Sequence, residues 1–353
     1  MTETTASERH IKEANGKSSG SLIARMRIFR NNTVAWWWLN VLIGLVVTPF
    51  ACGAQVPQPS QSGAGDEYIL RLNANLVILS ATVLDRHHAL VSGLGKNDFH
   101  VYEDGVLQQV KDFSREDVPV AVGILVDNSA SMAPKRNDVI AAALAFARSS
   151  NPQDQMFVVN FNDRVSFGLL DEPFTDRQEQ LEGALSAINT IGQTSLYDGI
   201  AAGLDHLKLA NRDKRVLILI SDGGDNASKH TLAQVLGIAR QSFVVIYAIG
   251  IFNEQDGDQD PSVLMRFAKE TGGEAFFPES SRDTLEICKG IARDIRNQYT
   301  LTYVPRIASQ VGKYRAIVVK ASADNRGRLF VRTRAGYSVP PGAPKSGSRG
   351  ARP

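Results

Sequence analysis

Four stretches of this chain are apolar almost without interruption, and they constrain its fold more than any other feature. They are Val118–Val126, Met156–Phe161, Val216–Ile220 and Phe243–Ile249. A strand with one face in water alternates apolar and polar residues. A continuous run needs cover on both faces, which is the condition of a parallel strand between layers of helices. Helical periodicity separates the runs. Val139, Ile140, Ala143, Leu144 and Ala147 share one helix face, and Leu285, Cys288, Ile291, Ala292 and Ile295 share another. This alternation predicts an α/β block over 117–297 with a doubly wound, mostly parallel sheet. Asn162-Asp163, between Val158–Phe161 and Val165–Leu169, predicts one antiparallel edge hairpin.

The segments on either side read as β-structure. In 67–116, Leu76–Leu84 is rich in Val, Ile and Leu, and Asp104-Gly105 joins Phe99–Glu103 to Val106–Phe113 as a hairpin turn. In 298–339, Tyr299, Leu301 and Tyr303 alternate, and Tyr314–Lys320 and Leu329–Val331 flank a turn at Asp324–Gly327. Each segment is too short to build a core by itself. The expectation is one small β domain made from both, with the α/β block inserted between them.

The N-terminus reads as a targeting segment. Residues 1–33 are polar and carry Arg25, Arg27 and Arg30 before an apolar run from Val34 to Phe50, and small residues follow at Ala51–Ala54. A basic flank, an apolar core and a small-residue exit form the signal-peptide pattern, with cleavage after Ala54. Retention of 34–51 as an inner-membrane anchor is the other reading, since the run is about 18 residues and so just long enough to span. Met26 opens Met-Arg-Ile-Phe-Arg, an ordinary basic flank, which points to Met26 as the start of translation. Either way the rest of the chain is expected outside the cytoplasm, periplasmic, secreted or anchored. Residues 55–66 read as a linker and 340–353 as a disordered tail.

Composition excludes several classes. With 39 Lys+Arg against 37 Asp+Glu, the net charge of +2 gives no footprint for nucleic acid. Two cysteines, Cys52 and Cys288, cannot supply a disulfide framework, so a hydrophobic core must carry the fold.

The chemistry gathers at strand ends. One buried run ends in Asp127-Asn128-Ser129-Ala130-Ser131, another in Ser221-Asp222-Gly223, and Thr194 lies in a loop that opens a helix. Ligands of doubly wound sheets sit at the carboxyl ends of strands where the winding reverses, which places Asp127 and Asp222 across one crevice. Hydroxyls from Ser129, Ser131 and Thr194 with two carboxylates make an all-oxygen donor set. Such a set suits a hard divalent cation, Mg²⁺ first and Mn²⁺ or Ca²⁺ next, rather than zinc or copper. Few anions touch such an ion, so it stays electrophilic toward an incoming carboxylate. Asp198 and Asp225, close by, read as loop and cap residues. His87-His88 reads as surface, as do His206 and His230 on helices. Gly16-Lys17-Ser18 lacks the first glycine of a phosphate loop.

Asp127-x-Ser129-x-Ser131, Thr194 before Leu196 and Asp198, and Asp222 in Ser-Asp-Gly together resemble the metal-ion-dependent adhesion site of von Willebrand factor A domains. The resemblance covers 117–297. It implies a Rossmann-type sheet and a metal held by Asp127, Ser129, Ser131, Thr194 and Asp222, the serines and threonine directly and the aspartates directly or through water. It implies a protein partner that presents Asp or Glu. A wider resemblance, through the hairpin Asp98-Phe99-x-Val101-x-Glu103-Asp104-Gly105 and the closing Arg334-x-Gly336-Tyr337, is to the exported von Willebrand factor A-related proteins of Acidobacteria. The function expected is metal-dependent adhesion or assembly in the cell envelope, not catalysis. A metal-dependent hydrolase or phosphatase-like enzyme is one alternative. It is disfavoured because Ser129 stands where a haloacid-dehalogenase-like phosphatase needs a second Asp, and Ala248-Ile249-Gly250 offers no receiver-type Lys. A structural envelope protein with an inactive metal site is the other.

Overall fold

Burial on both faces organises the middle of the chain. In the computed structural model, residues 76–115, 117–186, 189–252, 257–306, 311–324 and 326–339 are described. The targeting segment, Cys52, Gly16-Lys17-Ser18, the 55–66 linker and the 340–353 tail lie outside them. Among the described residues no helix is long and apolar enough to cross a membrane.

The first segment forms β1 (Val77–Leu84), β2 (Phe99–Glu103), β3 (Val106–Gln108) and β4 (Val110–Ser114). Asp104 and Gly105 both take positive φ, 48° and 80°, as a two-residue hairpin turn requires. The expected second arm of this hairpin breaks at Gln109. β3 pairs with β2, whereas β4 leaves for another sheet.

The α/β block follows. It runs β5 (Ala121–Asp127), α1 (Arg136–Ser149), β6 (Gln155–Phe161), β7 (Val165–Phe167), α2 (Gln178–Ser186), α3 (Leu196–His206), β8 (Arg215–Ser221), α4 (Leu232–Ser242), β9 (Val245–Gly250), α5 (Pro261–Thr271), β10 (Ala275–Phe276) and α6 (Ser281–Asn297). The sheet order is β10-β9-β8-β5-β6-β7, parallel except for the β6–β7 edge hairpin that Asn162-Asp163 predicts. β5 has β6 on one side and β8 on the other, so the winding reverses between β5 and β8.

Alternate residues of each strand serve different cores. Val122, Ile124 and Val126 pack with α1, α2 and α6, whereas Ala121 and Leu125 pack with α3, α4 and α5. Gly123 is forced by this crowding, because a Cβ there would lie 2.5 Å from both Leu217 Cδ2 and Phe157 Cζ. Strand β5 starts three residues later than the apolar run. Pro119 has no N–H to give a ladder, and the Val120 N–H donates instead to Asp154 Oδ1 at 2.8 Å. Phe243 likewise is not strand: it ends α4 in the left-handed conformation, and β9 begins at Val245.

The last segment gives β11 (Tyr299–Tyr303), β12 (Tyr314–Ala321), β13 (Phe330–Arg332) and β14 (Gly336–Ser338). Its strands interleave with those of the first segment. One antiparallel sheet runs β13-β1-β11-β4 and the other β14-β12-β2-β3. A third core fills the space between them, built from Val77, Leu79 and Ala81 on β1, Val101 on β2, Tyr299 and Leu301 on β11, and Ile317 on β12. Buried in it, Glu103 accepts hydrogen bonds from the hydroxyls of Tyr303 at 2.6 Å and Tyr337 at 3.2 Å.

Candidate metal centre

Strand β5 delivers Asp127 to the carboxyl edge of the sheet, where the residue is only 2% exposed. Its Oδ1 accepts the Ser129 N–H at 2.9 Å and its Oδ2 accepts the Ser221 hydroxyl at 2.7 Å. Burial pushes the Asp127 carboxyl up to about 6 against these hydrogen bonds, and the nearby Asp222 charge pushes the same way. Asn128 fixes the loop that follows. Its N–H donates to Phe161 O at 2.7 Å, and its side chain bonds Asn160 Oδ1 at 2.9 Å.

Strand β8 brings Asp222 to the neighbouring strand end. Asp222 Oδ2 accepts the Ser131 hydroxyl at 2.7 Å, and the Ser129 and Ser131 hydroxyls lie 3.0 Å apart. Asp222 Oδ1 is held by the Gly224 N–H at 3.0 Å. Gly223 turns the chain here with φ 86°, and a Cβ would strike Asp260 O at 2.2 Å. The third piece is the loop before α3. Thr194 N donates to Asn226 Oδ1 at 2.9 Å, and Thr194 O accepts the N–H groups of Asn226 and Ala227, both at 3.0 Å. The Thr194 side chain is left for the cavity.

That cavity holds about 230 Å³ and is lined by Ser129, Ser131, Thr194 and Asp222, with Asn226 and Asp258 on the rim. Asp127 is not in the lining; it sits behind Ser129, bonded to Ser221. Four of the five candidate ligands thus meet in one small space, and the fifth braces it. The donors fit a hard cation. They are hydroxyl and carboxylate oxygens, and among the described residues no group of three or more His, Cys, Asp or Glu converges that would make an alternative metal cage.

Asp198 and Asp225 tie the surrounding loops together. Asp225 Oδ1 accepts the Tyr197 N–H in the first turn of α3, while Asp198 accepts the N–H groups of Lys229 and His230 before α4. Burial raises the Asp225 carboxyl. Burial acts the same way on Asp198, but the N–H groups of Lys229 and His230 overcome it and hold that carboxyl low. His230 is not on a helix face as expected; it lies in the loop, its Nδ1 2.6 Å from Asp198 Oδ1. His206 closes α3, its ring 4.3 Å from that of Phe157. His87 and His88 are exposed, and Cys288 is buried. Sequence reasoning passed over Ser221, Asn226 and Asp258. Ser221 carried a usable signal, as the hydroxyl one residue before a strand-end Asp. Asn226 and Asp258 carried none, because each acts through a loop fold.

Residues 122–224 match the family model of the von Willebrand factor type A domain. No curated protein sequence matches the chain. Among solved structures, a von Willebrand factor type A protein from Catenulispora acidiphila aligns at 12% identity over 76% of this chain and 74% of its own, with a TM-score of 0.45. An aerotolerance-related membrane protein from Bacteroides fragilis aligns at 15% identity over 49% of this chain and 98% of its own, with a TM-score of 0.40. Proximal thread matrix protein 1 from the mussel byssus, in a form with a zinc-occupied MIDAS motif, aligns at 18% identity over 55% of this chain and 49% of its own, with a TM-score of 0.42.

Proposed function

We propose that this chain, which carries a von Willebrand factor type A domain, is an extracytoplasmic protein-binding module that captures a partner's Asp or Glu through one divalent cation. The residues that would hold the ion are Asp127, Ser129, Ser131, Thr194 and Asp222. The observation that carries the reading is the convergence of Ser129, Ser131, Thr194 and Asp222 on one cavity of about 230 Å³, with oxygen as the only donor type among them. When bound, the ion supplies an electrophilic centre for an anionic ligand.

The chain's own residues set the character of that centre. The Ser129 and Ser131 hydroxyls contribute oxygen without charge, so two carboxylates at most balance the ion. Asp127, braced by Ser221 and the Ser129 N–H, orients the loop that presents those hydroxyls. Thr194 arrives on a loop held independently by Asn226, which lets it tune affinity without disturbing the serines. Mg²⁺ is the preferred ion, because it keeps waters readily and leaves positions for a partner. Delivery to the envelope follows from the basic flank and apolar run of residues 25–50, with either cleavage after Ala54 or retention as an anchor.

Calorimetry with Mg²⁺ tests the metal, and capture from the envelope fraction with and without chelator tests the partner. Equal Mg²⁺ binding by wild type and Asp222→Ala would move the ion elsewhere. Chelator-insensitive capture would leave the ion in place and remove it from partner binding.

A further inference from the structure

At the opposite end of β5 and β8 from the candidate metal centre, the outer face of β1-β11-β4 and the base of the six-stranded sheet enclose a cleft of about 610 Å³. That is the size range of small-molecule sites. Its walls are of two kinds. Leu76, Ile78 and Val118 supply apolar surface, and all three are more than a third exposed. Thr300 and Thr302 of β11 supply hydroxyls.

The floor is Lys214, the residue before β8. It is only 9% exposed, and among the described residues its amine has no hydrogen bond and no ion pair. Its stem is buried while its amine keeps contact with the solvent of the cleft, so an anion entering there meets a cation that no hydrogen bond or ion pair has claimed. The surrounding charge is not already satisfied. Arg212 and Arg215, also in the lining, spend their donors on main-chain carbonyls. Arg212 Nη2 reaches Gln153 O at 3.1 Å, and Arg215 Nε reaches Arg212 O at 3.2 Å. Carbonyls do not neutralise a guanidinium. The Nε of Arg212 is buried with no acceptor. Asp213 is the one carboxylate among the described lining residues. Asp117 and Asp294 lie near enough to bias Lys214, but each is committed, Asp117 to Arg296 at 2.7 Å and Asp294 to Thr82, Tyr247 and Arg332.

We propose that this cleft binds a small amphipathic anion, a carboxylate, sulfonate or phosphate on a short apolar body, with its head on Lys214 and its body along Ile78 and Val118. The apolar wall gives a reason for more than an inorganic ion, and the unpaired ammonium gives a reason for more than an apolar molecule. The site is separate from the metal centre and does not depend on it.

Trace labelling of lysine amines with acetic anhydride, read residue by residue by mass spectrometry on the full chain, tests this with decanoate as the probe. Decanoate at ten times its Kd should slow Lys214 labelling about tenfold, leave Lys111 and Lys269 unchanged, and be unmatched by decanol. Ile78→Asp, on an outward-facing position, should keep the thermal transition and lose the protection. No protection, or equal protection by decanol, would overturn the anionic head. Equal protection by inorganic phosphate would overturn the apolar body. Protection by phosphatidylglycerol vesicles without protection by decanoate would replace the small molecule with a membrane surface and overturn the proposal. Lys214 that is never labelled in the free protein would show that the cleft does not reach it.

Discussion

The Ser131 hydroxyl donates to Asp222 Oδ2 across 2.7 Å, although the two residues stand 91 positions apart in the chain. The contact exists because β5 and β8 are neighbours at the point where the sheet's winding reverses. Each strand runs out of apolar residues at the same edge, and each places an Asp there. Local stability does not require this meeting. Each loop already satisfies its backbone through its own strand-end Asp, by Ser129 N to Asp127 in one and Gly224 N to Asp222 in the other.

Ser131→Ala and Asp127→Ala are therefore expected to differ. Ser131 is only half-buried, so its loss should cost about 1 kcal/mol or less of stability while weakening Mg²⁺ binding strongly. Asp127→Ala leaves the buried Ser221 hydroxyl and the Ser129 N–H without an acceptor, which should cost about 2 kcal/mol in metal-free protein, less whatever repulsion from Asp222 is relieved. Urea unfolding in chelator gives the stability difference, and calorimetry gives the binding. Identical unfolding midpoints for the two variants would contradict the bracing role of Asp127.

Mg²⁺ should stabilise the fold by mass action. At 100 times Kd the gain is about 2.7 kcal/mol, a rise in Tm of roughly 4–5 °C for a chain of this size. Chelator should reverse it, and Thr194→Ala should reduce it without lowering the metal-free Tm, since the loop is held by the Thr194 main chain rather than its side chain. A Tm indifferent to Mg²⁺ would argue against the ion at this cavity.

What could be read in the sequence divides along physical lines. The β5 and β8 runs are legible because burial on both faces leaves a continuous apolar signature, and the strand-end Asp127 and Asp222 follow from it. The Asp104-Gly105 turn is legible because few residue pairs accept two positive φ angles. The break at Gln109, which sends β4 to a different sheet from β3, is invisible, since β4 is chosen by β11 nearly 190 positions later. Asn226 and Asp258 reach the cavity through loops, which no periodicity describes. The unpaired state of Lys214 is a fact of packing between distant segments and leaves no local trace.

Cys288 should be inert in the native protein. It lies on the core face of α6, and burial pushes its thiol up to about 12, so almost no thiolate forms at neutral pH. In a Cys52→Ser background, a thiol reagent at pH 8 should react with no sulfur in the folded protein and with one after denaturation. Rapid native labelling would show that α6 opens away from the sheet.

The last expectation concerns the junction between the α/β block and the flanking β unit. Asp294 of α6 accepts the Thr82 hydroxyl from β1 and the Tyr247 hydroxyl from β9, each at 2.7 Å, and pairs with Arg332 of β13. Gln298 Nε2 adds a bond to the Tyr247 hydroxyl at 3.0 Å, and Arg332 also pairs with Glu274. Burial, with the Asp294 charge beside it, raises the Tyr247 hydroxyl well above its ordinary range, so Tyr247 is a proton donor at every working pH. One carboxylate thus binds groups from both sides of the junction. Asp294→Ala leaves Arg332 its pair with Glu274 but takes the acceptor from the buried Thr82 and Tyr247 hydroxyls, and should cost about 2–4 kcal/mol. Tyr247→Phe removes one donor and leaves Asp294 its other partners, so about 1 kcal/mol is expected. Because the network ties the two parts together, wild type should unfold in one transition by far-UV circular dichroism, and Asp294→Ala should separate it into two. A single transition in Asp294→Ala at the wild-type midpoint would show that apolar contact alone couples the two parts.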